Sequence, residues 1–480
     1  FIKIMKITIT KIFSVFSLII IISNNIHAKY DTILSNNFTN IQSSKSVDIT
    51  IIKIQIFGNN RTKKDIILRE LSIKEGDKIA SDKIISILNE EERKIINTDL
   101  FNEVEFKIEI VKENQVNVII NVLESIYWTP IILFELSDRN FNDWWENFNH
   151  DFSRINYGLG FAHYNISGRS DEFEVLLRLG FIKQFQTSYY IPYISKKQKG
   201  GIYLGFDYIN YDHLEYNSIN YIPVFYKSKN SLLKKISTSI EYSHRESFYN
   251  YHYFELEYNN ITFNDTLSLL NENYFFDKKI KNSLTLRYEF NRDFRDIKNY
   301  PLNGFQLKAE IIKTGIGIFN DLDNWIGKIY YSKYFKLKRH FYYSFNLSTY
   351  FGSKDLPYFL YDDSYQLRGY EKYLIHGHSN LIYKNSIKKR IVSKNFNIER
   401  MGFKRFKNIP TSIYLKMFFD SGYVWKYLNN NPNTYLNNKY LHSFGIGLDF
   451  VGIKNYSFRT ELSRNSNKEL NFSINLGADF

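Results

Sequence analysis

Side chains able to bind a metal or attack a substrate are scarce in this chain. One close histidine pair exists, His376-Gly377-His378, and no acid or third histidine completes a ligand set beside it. We therefore expect no metal site and no cofactor. The sequence holds no Gly-x-Ser-x-Gly elbow, no His-Glu-x-x-His helix and no Walker-type glycine loop, so hydrolase, metalloprotease and nucleotide-driven classes all lose their signature. Cysteine is absent, which removes disulfides, thiolate ligands and thiol nucleophiles. The reading is a protein that is not an enzyme. What remains reactive is the polypeptide backbone, whose N–H and C=O groups along a strand edge can pair with another chain.

The elements that would carry such an edge are strands. From Leu470 to Phe480, residues Leu470, Phe472, Ile474, Leu476, Ala478 and Phe480 face one way and Asn471, Ser473, Asn475, Gly477 and Asp479 the other. One apolar face, one polar face and a terminal aromatic suit the closing strand of a membrane barrel, because a sheet in hydrocarbon must close on itself. The composition agrees, with 39 Tyr and 41 Phe available for interfacial girdles and only seven prolines to interrupt ladders. Beyond the N-terminus no apolar run reaches the roughly 20 residues of a membrane helix. A large soluble sandwich is the competing reading. The net charge of +13 is scattered through a chain rich in Ile, Asn, Lys, Phe and Tyr, as an AT-rich genome would produce, and we read no nucleic-acid partner in it.

Met5, Lys6 and Lys11 precede the apolar stretch Ile12 to Ile22, followed by Ser23 through Ala28. A basic start, a short apolar core and a small residue make 1–28 a signal peptide cleaved after Ala28, with Phe1 to Ile4 upstream of the true start. Residues 29–48 form a flexible leader. Export combined with an amphipathic barrel implies a bacterial outer membrane.

Periodicity begins at Ile52, Ile54 and Ile56, the first strand of a small domain over 49–124. Gly58-Asn59-Asn60 makes a turn, Thr62 is placed to cap a short helix with Asp65 completing a capping box, and Ser81 opens a second helix with Asp82 near its positive end. On that helix Ile84, Ile85, Leu88, Ile95 and Ile96 share a face. Two strands follow, one with Val104, Phe106, Ile108 and Ile110 alternating, the next with Val116, Val118, Ile120 and Val122. The order strand, helix, helix, strand, strand resembles a POTRA domain, as do Gly58-Asn59-Asn60-Arg61-Thr62, Gly76-Asp77 and Thr98-Asp99-Leu100-Phe101. If the last strand pairs with the first, the strand carrying Val104, Phe106 and Ile108 lies at an edge where an extended client peptide can add. A mere spacer is the alternative.

From 125 to 480 alternating segments recur between Asn, Asp, Gly and Lys clusters, enough for about 16 tilted strands. Four phrases make the chain resemble the BamA/TamA superfamily, a single POTRA domain ahead of a 16-stranded barrel. Leu367-Arg368-Gly369-Tyr370 is similar to the Val-Arg-Gly-Phe signature on that family's luminal loop. Phe418-Phe419-Asp420-Ser421-Gly422 is similar to its late strand, Asp293-Phe294-Arg295-Asp296 with Tyr300-Pro301-Leu302-Asn303-Gly304 to its mid-barrel phrase, and Asp138 to Trp145 to early-barrel sequences of Bacteroidetes members. The fold class implied is mainly β, a transmembrane antiparallel barrel after a small α+β domain.

The resemblance also implies a luminal pair in which Arg368 meets Asp420, with Gly369 allowing the loop tip to lie against the wall. The family often adds a glutamate on the strand after the loop. The stretch Asn380 to Val392 holds no acid, so Asp420 is expected to carry the contact alone. Insertion of other proteins is the implied activity: unfolded outer-membrane protein clients, with periplasmic chaperones or accessory lipoproteins possible, enter lipid through a seam between the first barrel strand, with Pro130 and Leu133, and the last, with Leu470, Phe472, Ile474 and Phe480. A specialised protein or lipoprotein translocase, and a passive channel or surface receptor, are the alternatives.

Overall fold

The computed structural model describes residues 47–195, 197–274, 282–319, 322–354, 356–361, 367–396, 409–426, 435–452 and 456–477. The signal peptide, nearly all of the leader, and Phe480 lie outside these residues.

The small domain contains β1 (Asp48–Phe57), α1 (Lys64–Glu70), β2 (Lys78–Ala80), α2 (Ile84–Ile96), β3 (Phe101–Lys112) and β4 (Gln115–Glu124). Its sheet order is β2-β1-β4-β3, with β1 and β4 parallel and the other pairs antiparallel. Ile51, Ile67, Ile84, Ile95, Val118 and Ile120 form the dry centre between sheet and helices. Three local expectations fail here. A register shift against β4 between Ile51 and Lys53 turns Ile51 and Ile54 to the core together and leaves Ile52 exposed, because a bulge resets the period of two. Thr62 does not cap α1; its cap is Lys63 with no side-chain bond, and Thr62 Oγ1 shares a hydrogen bond with Tyr127 Oη at 2.7 Å. Helix α2 begins at Ile84 rather than Ser81, so Asp82 precedes its first turn, and Ile85 points outward. The short β2, which follows the Gly76-Asp77 turn, had no periodic signal.

The second body is one antiparallel sheet of sixteen strands. It runs through β5 (Trp128–Leu136), β6 (Ile155–His163), β7 (Glu172–Gly180), β8 (Ile182–Ile191) and β9 (Gly200–Tyr211). A separate hairpin, β10 (His213–Ile219) and β11 (Ile222–Lys227), interrupts it. The sheet resumes with β12 (Leu233–Arg245), β13 (Asn250–Phe263), β14 (Asn282–Asp293), β15 (Gly304–Thr314), β16 (Asn324–Lys336) and β17 (Phe341–Gly352). It ends with β18 (Ser379–Phe396), β19 (Ile409–Trp425), β20 (Tyr440–Val451), β21 (Ser457–Asn465) and β22 (Leu470–Leu476). Alternation sorts its faces: on β17 Ser344, Asn346 and Ser348 are buried inside while Leu347 and Phe351 are exposed outside. No described helix is long and apolar enough to cross a membrane. The exposed apolar row on the outer face of the strands is the kind of surface that a spanning barrel turns to hydrocarbon.

The POTRA-like domain docks on the turns at one end of the barrel. Arg245 grips Glu70 through two bonds of 2.7 Å, Arg61 donates to the carbonyls of Asn165 and Ile166, and Tyr249 Oη donates to Glu90 at 2.8 Å. Burial first, and the Glu90 bond second, push the Tyr249 hydroxyl's pKa up. We call this the domain end of the barrel and the opposite rim the far end.

Gly58 sits at φ +90°, and a Cβ there would lie 2.0 Å from the Val122 carbonyl oxygen. Gly58→Ala should lower the small domain's stability by about 1–3 kcal/mol. The check is the urea midpoint for protease cleavage within 47–125 of the full chain while the barrel stays heat-modifiable on gels; an unchanged midpoint contradicts it.

Candidate functional site

A luminal loop joins β17 to β18 and brings Arg368 against the barrel wall. Its guanidinium donates Nε to Asp420 Oδ2 at 2.7 Å and Nη2 to Asp420 Oδ1 at 2.6 Å, a planar two-pronged pair. Asp420 is wholly buried on β19 and Arg368 nearly so. Asp420 does not act alone. Nη1 donates to Ser386 Oγ at 3.1 Å, Nη2 to the Asn385 carbonyl at 3.1 Å, and Glu461 on β21 lies 3.7 Å away. The acid-free stretch after the loop thus contributes a hydroxyl and a carbonyl, and the second carboxylate comes from a strand further round. The Phe418 ring lies under the guanidinium at 3.9 Å.

Glu461 also holds Lys416 at 2.6 Å, Lys416 reaches Asp449 at 2.8 Å, and Tyr300, from the β14–β15 turn, donates to Asp449 at 2.8 Å. Charges taken out of water need such partners on every side. These residues had no motif of their own. Their signal was the polar face of the alternation, Arg459, Glu461, Ser463 and Asn465 on β21, which marks a wall residue without saying whom it meets.

Gly369 follows at φ +86°, and a Cβ would stand 3.1 Å from Ser443 and 3.2 Å from Ser463. Its carbonyl accepts from Asn465 Nδ2 at 2.9 Å and from Asn471 Nδ2 at 2.8 Å, so the loop tip is bonded to β22 itself. Tyr370 Oη bonds Ser466 Oγ at 2.7 Å and Tyr373 Oη donates to Glu469 at 2.7 Å in the β21–β22 turn. His376 packs beside the Tyr358 and Tyr361 rings, and no group of three metal-ligating side chains occurs among the described residues.

Among the described residues no ladder joins β5 to β22, the two ends of the sheet. Antiparallel pairing alternates, so every second residue of an end strand directs its N–H and C=O away from its neighbour. On β22, Gly477 N donates to Ser457 O, which assigns Asn471, Ser473 and Asn475 to β21 and leaves Leu470, Phe472, Ile474 and Leu476 directed outward from the edge. On β5, Tyr164 N donates to Tyr127 O and Ser137 N to Arg154 O, which assigns Leu133 to β6 and Trp128, Pro130, Ile132, Phe134 and Leu136 to the edge. Pro130 therefore removes an N–H on the side of the gap. Both end strands are short, nine and seven residues against 18 and 17 for β18 and β19.

Strand β3 pairs with β4 alone and is an edge of the small sheet. Val104 and Phe106 are buried in that domain's core and Ile108 packs against it, so this edge offers outward its backbone rather than those side chains.

Residues 49–125 match the POTRA family model, described as "Surface antigen variable number repeat". In fold the chain is similar to BamA from Haemophilus ducreyi lacking POTRA domains 1-3, with TM-score 0.52, 17% identity, and coverage of 89% of this chain and 83% of that one. It is similar also to CdiB from Escherichia coli, with TM-score 0.53, 11% identity and coverage of 89% and 76%. No curated protein matches it in sequence. The architecture is one POTRA domain followed by a sixteen-stranded barrel of the BamA and CdiB fold.

Arg368→Ala takes from the buried Asp420 carboxylate its two-pronged partner, while Glu461 keeps Lys416, and should weaken the seating of the loop by about 3–5 kcal/mol. The barrel should still form, while protease nicking between 367 and 378 rises; Arg368→Lys, which keeps the charge and loses the fork, should fall between. Equal nicking in all three proteins would contradict the bracing role.

Proposed function

We propose that the protein is an outer-membrane assembly factor: it receives unfolded outer-membrane proteins at its POTRA domain and inserts them through the gap between β5 and β22. The observation that carries this reading is that, among the described residues, no ladder joins the two end strands, whose edge-directed backbone groups belong to residues exposed on the outer face. Hydrocarbon offers such groups no water, so an arriving strand that pairs with them lowers the free energy of both partners as it enters lipid. With no nucleotide site in the sequence, client folding is the source of work.

In this reading the signal peptide sends the chain through the inner membrane, the POTRA domain lies in the periplasm, and the far end faces outside. Edge β3 passes extended clients toward the barrel by backbone bonds, which ask little of client sequence. Periplasmic chaperones or accessory lipoproteins deliver them, outer-membrane lipid is the solvent they enter, and neither nucleic acid nor a cofactor takes part. The luminal loop is braced against the wall by Arg368, Gly369 and Asp420.

A specialised protein or lipoprotein translocase is the second reading, favoured by the single POTRA domain among the described residues. Depleting the protein and measuring the outer-membrane proteome tests both. General loss of barrel proteins is the expected result; loss of one client class moves the assignment to the translocase, and an intact proteome with altered solute uptake overturns both.

A further inference from the structure

The loop between β5 and β6 ends its donors on backbone carbonyls elsewhere. Arg139 Nη1 donates to Tyr373 O at 3.0 Å, Asn140 Nδ2 to Glu371 O at 2.6 Å and Asn147 Nδ2 to Lys372 O at 2.8 Å, covering three successive carbonyls of the luminal loop. Asn142 Nδ2 donates to Phe472 O at 2.5 Å, across the gap. Phe472 is one of the β22 residues whose carbonyl points to the edge, so a side-chain amide stands where a neighbouring strand's N–H would stand.

The loop presents that amide rigidly. Arg139 pairs with Asp143 at 2.8 Å, Asp143 accepts from Asn147 Nδ2 at 2.7 Å, and Asp143 N donates to Asn140 Oδ1 at 2.9 Å. Trp144 is buried below with its Nε1 on Asp151 O at 2.9 Å, and Asn142 itself is only 5% exposed. The luminal loop meanwhile holds β22 through Gly369 and Asn471. The two ends of the sheet are thus tied at the far end by side chains reading backbone, through a third segment that touches both.

We propose that Asn142 is a resident stand-in for a guest strand. It fills one rung of the β22 edge, keeps the gap narrow at the far end while no guest is present, and is displaced by the backbone N–H of an arriving polypeptide. The occupant is an extended strand with apolar side chains at alternate positions, because Leu470, Phe472 and Leu476 flank the edge outward at 71%, 53% and 81% exposure and a guest must continue that lipid-facing row. The domain half of the gap has no comparable tie among the described residues, and there Pro130 withholds a donor. A guest therefore enters from the POTRA end and advances toward Asn142, which is the last contact it replaces. This rests on the insertion reading above and adds to it a direction and a release point.

The test uses the full chain in lipid nanodiscs. It has no native cysteine, so spin labels on Phe134→Cys and Leu470→Cys, both outward and exposed, report the far-end gap by pulsed electron resonance. Asn142→Asp removes the donor at constant size, and Asn142→Ala is the second variant should the first misfold. We expect a longer and broader distance distribution in either variant, and about three- to tenfold tighter binding of a synthetic peptide copying residues 470–480, the range set by one hydrogen bond. Distances and affinities equal to the parent's overturn the stand-in role and leave the insertion reading standing. A peptide that binds none of the three proteins overturns both.

Discussion

A backbone N–H or C=O in hydrocarbon has nowhere to turn but another backbone or a polar side chain, and that constraint organises the whole molecule. It makes the membrane part a sheet rather than loops, sends apolar side chains out and Ser, Asn, Lys and Glu in, and would ordinarily weld the last strand to the first. The weld is the one step absent from the described residues. β5 and β22 are the places where the constraint is unmet by strand pairing, and the parts of the protein nearest to them are those that compensate.

Compensation comes from polar side chains anchored at a distance. The luminal loop is fixed by a charged centre, Arg368 with Asp420, Glu461 and Ser386, deep enough that a missing partner would leave a bare charge. From this anchor the loop reaches forward to Asn471 on β22 and presents its carbonyls to the β5–β6 loop. Strand pairing would be strong and permanent. Side-chain bonds are individually worth about 1 kcal/mol and exchange readily, as the proposed insertion role requires of that edge.

Much of this was legible in the sequence and some was not, for physical reasons. Period-two alternation on Leu470 to Leu476 and the strand-helix-helix-strand-strand order fixed the fold class, because side-chain direction in a strand is set by geometry alone. Position within an element was less legible. The bulge beside Ile52 reversed a face that simple alternation assigned, and Thr62 left the helix cap for Tyr127, since a tertiary partner outbids a local one. For the site, Arg368, Gly369 and Asp420 carried a motif. Glu461, Ser386 and Asn142 carried none, and only the folded chain brings residues so distant in sequence to one arginine or one edge carbonyl.

In the proposed function the sheet's two ends act as an openable gap. Cysteines at Ile132 and Ile474, in a chain with no others, bridged by a bifunctional thiol reagent with a reducible spacer, form a reversible staple across it. Purified stapled protein in liposomes should fail to speed the insertion of an unfolded barrel protein, and reductant should restore the rate. Undiminished insertion with the staple verified intact would mean that the two ends do not open to admit a client.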